Sequence, residues 1–418
     1  MTAAAPASSW QAILEGELLE KAWDSLAEIA SGLAVIPIPQ FASPRAELAL
    51  FYGYLAQVQN DAQQAERALH YLNEAINQIS KEPLWPSLIG GYPNVGWIIT
   101  QLAGKLFDQQ EAADCLAIDE ALLDYLQAPP EPVNFDIVGL VGIGVYALAR
   151  LPEPSAVVCL QLVVQRLAEM AERDEAGATW FTVPELLPDW QREVCPNGYY
   201  NLGLSHGVPG VIAFLARACA VAAVRETARP LLEEAVRWVL AHLGEEDGVP
   251  FFPEWLAPEV LPTRSRLAWC YGDLGGASAL LCAARAVVQP EWEAVALQVL
   301  RRAAHTRGRA AGVQDASICH GAAGNAHIFN RLYQATGEAL FKEAACHWYA
   351  RAFDLRQPEV GIAGFASFHS DEGESGKWVE SADFFSGAAG VGLALLAASS
   401  NLAPTWDEIL LVSLPPKE

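Results

Sequence analysis

The chain has 418 residues, of which 52% are hydrophobic and 18% charged, a composition that excludes disorder as its main state. Its 26 basic and 50 acidic residues give a formal net charge of −24, which argues against a nucleic-acid partner because phosphate binding needs a basic face. No apolar run reaches the roughly 18 to 20 residues of a membrane span, and the N-terminus lacks the basic stretch of a secretory signal, so we expect a cytoplasmic protein.

Helical periodicity runs through most of the chain. Apolar residues at helical spacing, with charges between them, predict four amphipathic helices with one buried face each: Ala65–Ile76, Leu231–Leu243, Glu293–Ala304 and Glu338–Leu355. Two stretches, Glu172–Tyr200 and Gln357–Asp383, are irregular. The sequence leaves open whether they form short strands or long loops.

Eight cysteines are spread along the chain, too sparsely for a disulfide scaffold. Five lie in helical stretches rich in Ala, Leu and Val, where a reduced cysteine is most often a small core hydrophobe: Cys115, Cys159, Cys219, Cys282 and Cys346. Cys270 and Cys319 differ from these five because both lie in glycine-rich turns.

A G-x-x-G turn that introduces an apolar helical run occurs five times, at intervals of roughly 50 to 70 residues. The turns begin at Gly139, Gly207, Gly272, Gly321 and Gly387. The run after each turn is almost uncharged and should be buried, whereas the more charged helix that follows should lie outside it. Six or seven such pairs predict an all-α fold, an α/α toroid in which a double ring of inner and outer helices carries its glycine-rich turns at one mouth. An open solenoid of the same units is the alternative.

In a closed ring, the residues that flank these turns would meet at one end of the inner helices. Cys270, Cys319 and His320 provide three soft donors among these flanks. Three protein ligands with one open position are typical of a catalytic Zn²⁺, since a structural zinc site closes with four. The spacing is not that of a zinc finger, and packing is the alternative for each residue taken singly.

Four further residues near the turns have two interpretations each. His206 is either a functional imidazole or a capping or core histidine. Asp136 is either a functional carboxylate or the N-cap of the helix after it. Arg266 either clamps a carbonyl or is solvated, and Tyr271 either lines the site or packs the floor of the ring.

Three motifs resemble the signatures of the lanthionine synthetase C-like cyclases: W-C-Y-G at 269–272, C-H-G-A-A-G at 319–324 and S-H-G-V-P-G at 205–210. Asp136 ahead of the first glycine turn and P-T-W-D at 404–407 extend the resemblance over most of the chain. It implies a stand-alone cyclase with one such domain over residues 1–418. The sequence does not locate the small inserted subdomain that some members carry.

The resemblance also implies a site and a reaction. The site would hold one Zn²⁺ per chain on Cys270, Cys319 and His320. Around the metal it would place His206, Asp136, Arg266 and Tyr271. The implied reaction adds a cysteine thiol of a precursor peptide to a dehydroalanine or dehydrobutyrine of the same peptide. In it we assign the acid–base step to His206, its orientation to Asp136 and polarisation of the carbonyl to Arg266.

The implied partners are the dehydrated precursor peptide, a dehydratase and a membrane exporter, through which the chain would associate peripherally with a membrane. Three other functions stay open: a relative that adds glutathione to dehydroamino acids, a prenyltransferase-like α/α barrel, and a non-catalytic helical-repeat scaffold. The adjacent Cys319 and His320 argue against the second, and the third leaves the cysteine and histidine turns unexplained.

Overall fold

The computed structural model describes residues 10–83, 85–108, 115–128, 131–258, 260–369 and 376–414. Within these ranges the chain forms fifteen α-helices and nine short β-strands. Residues 1–9, which bear on the expected absence of a secretory signal, lie outside the described residues, as do 370–375 of the second irregular stretch.

Seven helices in the described ranges bury most of their residues. They are α2 (Ala42–Gln59), α4 (Tyr92–Leu102), α6 (Leu140–Ala149), α9 (Val208–Ala218), α11 (Asp273–Val287), α13 (Ala322–Thr336) and α15 (Ala388–Ser399). In α15 every residue is buried, as its uncharged sequence predicts. None of the helices that the structure describes is both long and apolar enough to span a membrane.

Seven further helices of the described chain bury one face only. They are α1 (Gly16–Leu33), α3 (Ala62–Ile79), α5 (Leu116–Gln127), α7 (Pro154–Met170), α10 (Arg225–Ala241), α12 (Pro290–His305) and α14 (Ala339–Asp354). The four predicted amphipathic helices are confirmed as α3, α10, α12 and α14. The predicted start of α10 at Leu231 was late, because Pro230 lies inside the helix rather than ahead of it.

Each of six buried helices packs against the amphipathic helix that follows it, in the pairs α2–α3, α4–α5, α6–α7, α9–α10, α11–α12 and α13–α14. The last buried helix, α15, packs instead against α1 and α2. Trp10 Nε1 donates to Ala397 O at 2.8 Å, and Ile13 N donates to Ala398 O at 2.9 Å. The two ends of the described chain therefore join, and the seven pairs within it form the predicted double ring rather than an open solenoid.

Short strands occupy both irregular stretches and a third segment that the sequence did not single out. They are β1 (Glu172–Arg173), β2 (Ala178–Thr179), β3 (Phe181–Thr182), β4 (Tyr199–Asn201), β5 (Gly244–Glu246), β6 (Val249–Phe251), β7 (Trp255–Leu256), β8 (Ala366–His369) and β9 (Lys377–Glu380). Strands β3, β4 and β7 form one antiparallel sheet in that order. The β5–β6 hairpin turns at Asp247 and Gly248, which both have positive φ, and this Asp-Gly pair is the signal that predicts a hairpin. A short helix, α8 (Asp189–Val194), lies between β3 and β4.

The five glycine turns lie side by side at the N-terminal ends of their helices. Backbone hydrogen bonds link each turn to the next: Ile137 N to Ser205 O, Ser205 N to Cys270 O, Cys270 N to Cys319 O, and Cys319 N to Phe385 O. Glycine is required where a turn folds back on its helix, since a Cβ at Gly324 would lie 1.9 Å from Ile318 O. Residues far apart in sequence, next to different turns, are thereby brought together.

Candidate active site

The linked turns border a cavity of about 410 Å³, within the size range of ligand sites. Its lining includes all seven residues singled out in the sequence: Asp136, His206, Arg266, Cys270, Tyr271, Cys319 and His320. The strand-containing stretch from Thr182 to Tyr199, with its short helix α8, supplies further side chains of the wall. The cavity is therefore built from both the ring of turns and one of the irregular stretches.

Cys270, Cys319 and His320 form a cluster of soft donors, whose ligand atoms all lie within 4.8 Å of one another. No other group of three or more His, Cys, Asp or Glu side chains within the described ranges is placed to hold a metal ion. The backbone bond from Cys270 N to Cys319 O, 3.3 Å long, joins the two turns next to the thiols. The cluster thus depends on the packing of two neighbouring turns.

A hydrogen bond joins the two thiols of this cluster. A hydrogen bond from the Cys319 thiol lowers the pKa of Cys270 well below its usual range, with further lowering by His320 and Arg266. The same hydrogen bond raises the pKa of Cys319. Burial instead raises the pKa of Cys282, in α11, to about 12. Two cysteine sulfurs and an imidazole within 4.8 Å of one another are a donor set that suits Zn²⁺, so the residues fit that metal.

His206 and Asp136 form a pair in the same cavity. His206 Nδ1 lies 2.7 Å from Asp136 Oδ2, and Asp136 Oδ1 accepts from Val138 N at 2.7 Å. An ionised carboxylate only accepts hydrogen bonds, so Nδ1 carries a proton and Nε2 remains to exchange one. Burial lowers the pKa of His206, but Asp136 and Cys270 outweigh it and the net shift is upward. The side chain of His206 is 43% exposed, which is inconsistent with a core histidine.

Tyr271 lines the cavity rather than the floor of the ring. Asn201 Nδ2 donates to Tyr271 Oη at 3.1 Å, and the Trp255 ring meets the Tyr271 ring edge-on, with centroids 6.1 Å apart. Burial raises the pKa of Tyr271, which keeps it a neutral phenol. Its neighbour Trp269 does pack into the core, where Nε1 donates to Leu410 O at 2.7 Å.

Arg266 is an exposed residue that lines the cavity, and its positive charge favours the thiolate form of both clustered thiols, although the pKa of Cys319 remains raised. Arg264, two residues earlier, pairs instead with Asp273, with 3.4 Å between Nη2 and Oδ2. Asp273 also accepts from Arg302 at 2.8 Å and from Phe252 N at 2.9 Å. This buried aspartate therefore ties the β5–β7 segment to the N-terminus of α11.

Three side chains shape the turns in a way that the sequence did not predict, although Asn134 and Asn201 lie in the flanks of the predicted turns. Asn134, Asn201 and Asp315 each accept, through Oδ1, a hydrogen bond from the backbone N two residues later, at 3.0, 2.8 and 2.9 Å. Asp315 Oδ2 also lies 3.8 Å from His320 Nε2. An Asn or Asp five or six residues ahead of the turn glycine was the available signal, because these residues favour such local turns.

Comparisons with known proteins agree with this architecture. Among solved structures, nisin cyclase superposes with a TM-score of 0.74 at 18% identity, covering 95% of this chain and 98% of that chain. At this identity the likeness shows the fold, an α/α toroid. No curated protein sequence matches the chain. A sequence profile of lanthionine synthetase C-like proteins matches residues 45–411, and the chain therefore belongs to the lanthionine synthetase C-like family.

Proposed function

We propose that the chain is a zinc-dependent lanthipeptide cyclase, which joins cysteine thiols of a precursor peptide to its dehydroalanine or dehydrobutyrine residues. The observation that carries the proposal is the presence, in one cavity, of a two-thiol, one-imidazole donor cluster and an aspartate-held histidine. The cluster suits thiol activation, and the histidine pair suits proton transfer. A thioether-forming addition needs both.

Cys270, Cys319 and His320 would hold the metal. When bound, Zn²⁺ would keep a substrate thiol in its thiolate form, the nucleophile, at a pH where a free thiol with a pKa of about 8.5 is largely protonated. Arg266 adds a positive charge beside this electron-rich donor set, which contributes to the lowered pKa of Cys270 and partly opposes the raised pKa of Cys319.

The reaction requires a proton donor, and we assign this role to His206. The substrate sulfur bonds to the β-carbon of the dehydro residue, the double bond becomes single, and the electron pair moves toward the adjacent carbonyl as an enolate. A proton then adds to the α-carbon, and the protonated Nε2 of His206 is the donor we assign to it. Asp136 orients the imidazole through Nδ1 and stabilises its charged form.

We assign stabilisation of the enolate to Arg266. Arg266 lines the same cavity as His206, and a positive charge placed there stabilises developing negative charge on a carbonyl oxygen. The net reaction moves the thiol proton to the α-carbon, so the peptide keeps its mass. Its substrate must already be dehydrated, which requires a dehydratase to act first, and the exporter of the mature peptide would act afterwards.

The test is incubation of the zinc-loaded protein with a dehydrated, cysteine-containing peptide, followed by mass spectrometry before and after thiol alkylation. Cyclisation leaves the mass unchanged and removes the thiol from alkylation. His206→Ala should keep its zinc and cyclise slowly, whereas His347→Ala, a histidine on the outer helix α14, should behave as wild type.

Two results would contradict the proposal. Addition of one glutathione mass in the presence of glutathione, with no ring formed in its absence, would identify the glutathione-transferring alternative. Cysteines that stay fully alkylatable across a set of dehydrated peptides would favour the scaffold alternative.

A further inference from the structure

A second cavity, of about 560 Å³, lies beside the reaction cavity. Asn134, Val138 and Leu186 line both cavities, so the two are contiguous. Asn134 and Val138 are also the residues whose contacts hold Asp136. Among the described residues that line the second cavity, none carries a charged side chain. A group that enters it is therefore next to the proposed chemistry and is not selected by charge.

The walls of this second cavity are mainly aromatic. Trp85, Tyr92 and Tyr125 line it, together with the rigid rings of Pro86 and Pro132, and we call it the aromatic cavity. Trp85 is 61% exposed, an unusual setting for so large an apolar side chain. Aromatic side chains supply large apolar contact area with little loss of conformational entropy, as binding sites require.

The hydroxyl of Tyr92 adds a polar feature to the aromatic cavity. Tyr92 lines this cavity and is only 5% exposed, and its hydroxyl makes no hydrogen bond within the described ranges. Burial raises the pKa of Tyr92, so the hydroxyl stays a neutral donor. A peptide carbonyl is a group that would satisfy it.

We propose that the aromatic cavity binds an apolar side chain of the precursor peptide close to the reacting cysteine, an inference that rests on the proposed function. The uncharged lining selects an apolar group, and the contiguity with the reaction cavity makes the same peptide its occupant. The Tyr92 hydroxyl donates to the peptide backbone beside that side chain. The cavity thereby contributes to selecting which cysteine of a precursor reacts.

The test measures binding and needs no turnover. The probes are fluorescein-labelled glycine–serine peptides with one cysteine and one phenylalanine, the phenylalanine placed one to four positions to either side. Fluorescence anisotropy gives their affinity for the zinc-loaded protein. At least one placement should bind about tenfold more tightly than the peptide with alanine there, because burying an aromatic side chain yields at least that factor.

Three variants test whether this gain in affinity comes from the aromatic cavity. Trp85→Ala removes an exposed aromatic side chain from the cavity wall, and Ala121→Trp fills the cavity from a partly exposed lining position. Each variant should abolish the gain in affinity from phenylalanine. The alanine peptide should bind to both variants as it does to wild type. Phe41→Ala removes an aromatic ring of similar exposure, 51%, which lines neither cavity, and should keep the gain.

The proposal is wrong if no phenylalanine placement improves binding, or if the gain persists in both Trp85→Ala and Ala121→Trp. These peptides contain no dehydro residue, so the result is separate from ring formation. A protein that shows the gain but cyclises no dehydrated peptide would contradict the proposed function alone. A working cyclase without the gain would contradict the aromatic cavity alone.

Discussion

His206 Nδ1 and Asp136 Oδ2 lie 2.7 Å apart, although 70 residues separate them in the sequence. The second oxygen of the carboxylate accepts a hydrogen bond from Val138 N. This bond holds the carboxylate in place, and the carboxylate in turn orients the imidazole. The pair connects two turns of the ring, and the proposed proton donor depends on both turns being in place.

Asp136→Asn should slow cyclisation while leaving the zinc bound. The amide keeps an oxygen for Val138 N but loses the charge that raises the pKa of His206. The proposed acid is active below its pKa, so activity is lost as the pH rises through it, and in the variant this loss should begin at a lower pH. We expect kcat to fall by about 10²- to 10⁴-fold near neutral pH, the usual contribution of general acid–base catalysis.

The measurement is the rate of ring formation as a function of pH, with zinc content determined on the same samples. Arg264→Ala is the control, because Arg264 pairs with Glu246 and Asp273 and does not line the reaction cavity. A wild-type rate and pH profile in Asp136→Asn would remove Asp136 from the mechanism.

Asp407→Asn should destabilise the fold. Asp407 is fully buried and accepts from Arg331 Nε at 2.5 Å and from His327 Nε2 at 2.7 Å. Burial raises the pKa of Asp407, but Arg331 and His327 more than reverse this and hold it below its usual range. The variant leaves Arg331 as a buried charge without its counterion, at a cost of about 3 to 5 kcal/mol.

Denaturant unfolding of Asp407→Asn beside Glu408→Gln checks this expectation. Glu408 is the adjacent carboxylate, 30% exposed and 3.2 Å from Arg217 Nη2, and its loss should cost at most about 1 kcal/mol. Equal destabilisation by both variants would show that the buried carboxylate has no special role.

Glu47 should make stability depend on pH. Burial, with help from the charge of Asp383, raises the pKa of Glu47 from 4.5 to about 8, and Oε2 accepts from Phe384 N at 3.0 Å. Between about pH 4.5 and pH 8, the Glu47 carboxyl keeps its proton in the folded chain but releases it in the unfolded chain. The stability due to Glu47 is therefore complete below about pH 4.5, declines as the pH rises, and is lost by about pH 8.

Glu47→Gln cannot ionise and should flatten this decline. We expect its melting temperature to fall by several degrees less than that of wild type between about pH 5 and pH 9. Glu66→Gln, at an exposed position of α3, is the control and should follow the wild-type curve. Parallel curves of melting temperature against pH for wild type and Glu47→Gln would contradict the raised pKa of Glu47.

Much of the ring was predictable because its signals are local. Each glycine turn precedes an almost uncharged apolar run. The hydrophobic effect favours burying such a run on all sides, inside the protein. The outer helices carry their burial pattern within single segments, as Tyr71, Leu72 and Ala75 do in α3. Ring closure has no such signal, because Trp10 meets Ala397 from the other end of the chain.

The site was predictable as a set of residue types but not as an arrangement. Cys270 next to one turn and Cys319 next to another each had packing as an alternative, and only the backbone bonds between turns place them together. Asp315 and Asn201 act through hydrogen bonds to the turns. Short Asn and Asp turns are common, so the sequence indicates neither the turn-forming role of Asn201 nor that of Asp315.

The zinc content of the purified protein, measured by elemental analysis beside Cys319→Ala and Cys346→Ala, tests the central claim most directly. Cys346 lies on the outer helix α14 and serves as the matched control. We predict about one zinc per chain in wild type and in Cys346→Ala, and almost none in a folded Cys319→Ala. Folded wild-type protein that stays free of zinc after reconstitution, or Cys319→Ala with a full equivalent of zinc, would contradict the assignment of Cys270, Cys319 and His320 as a zinc site.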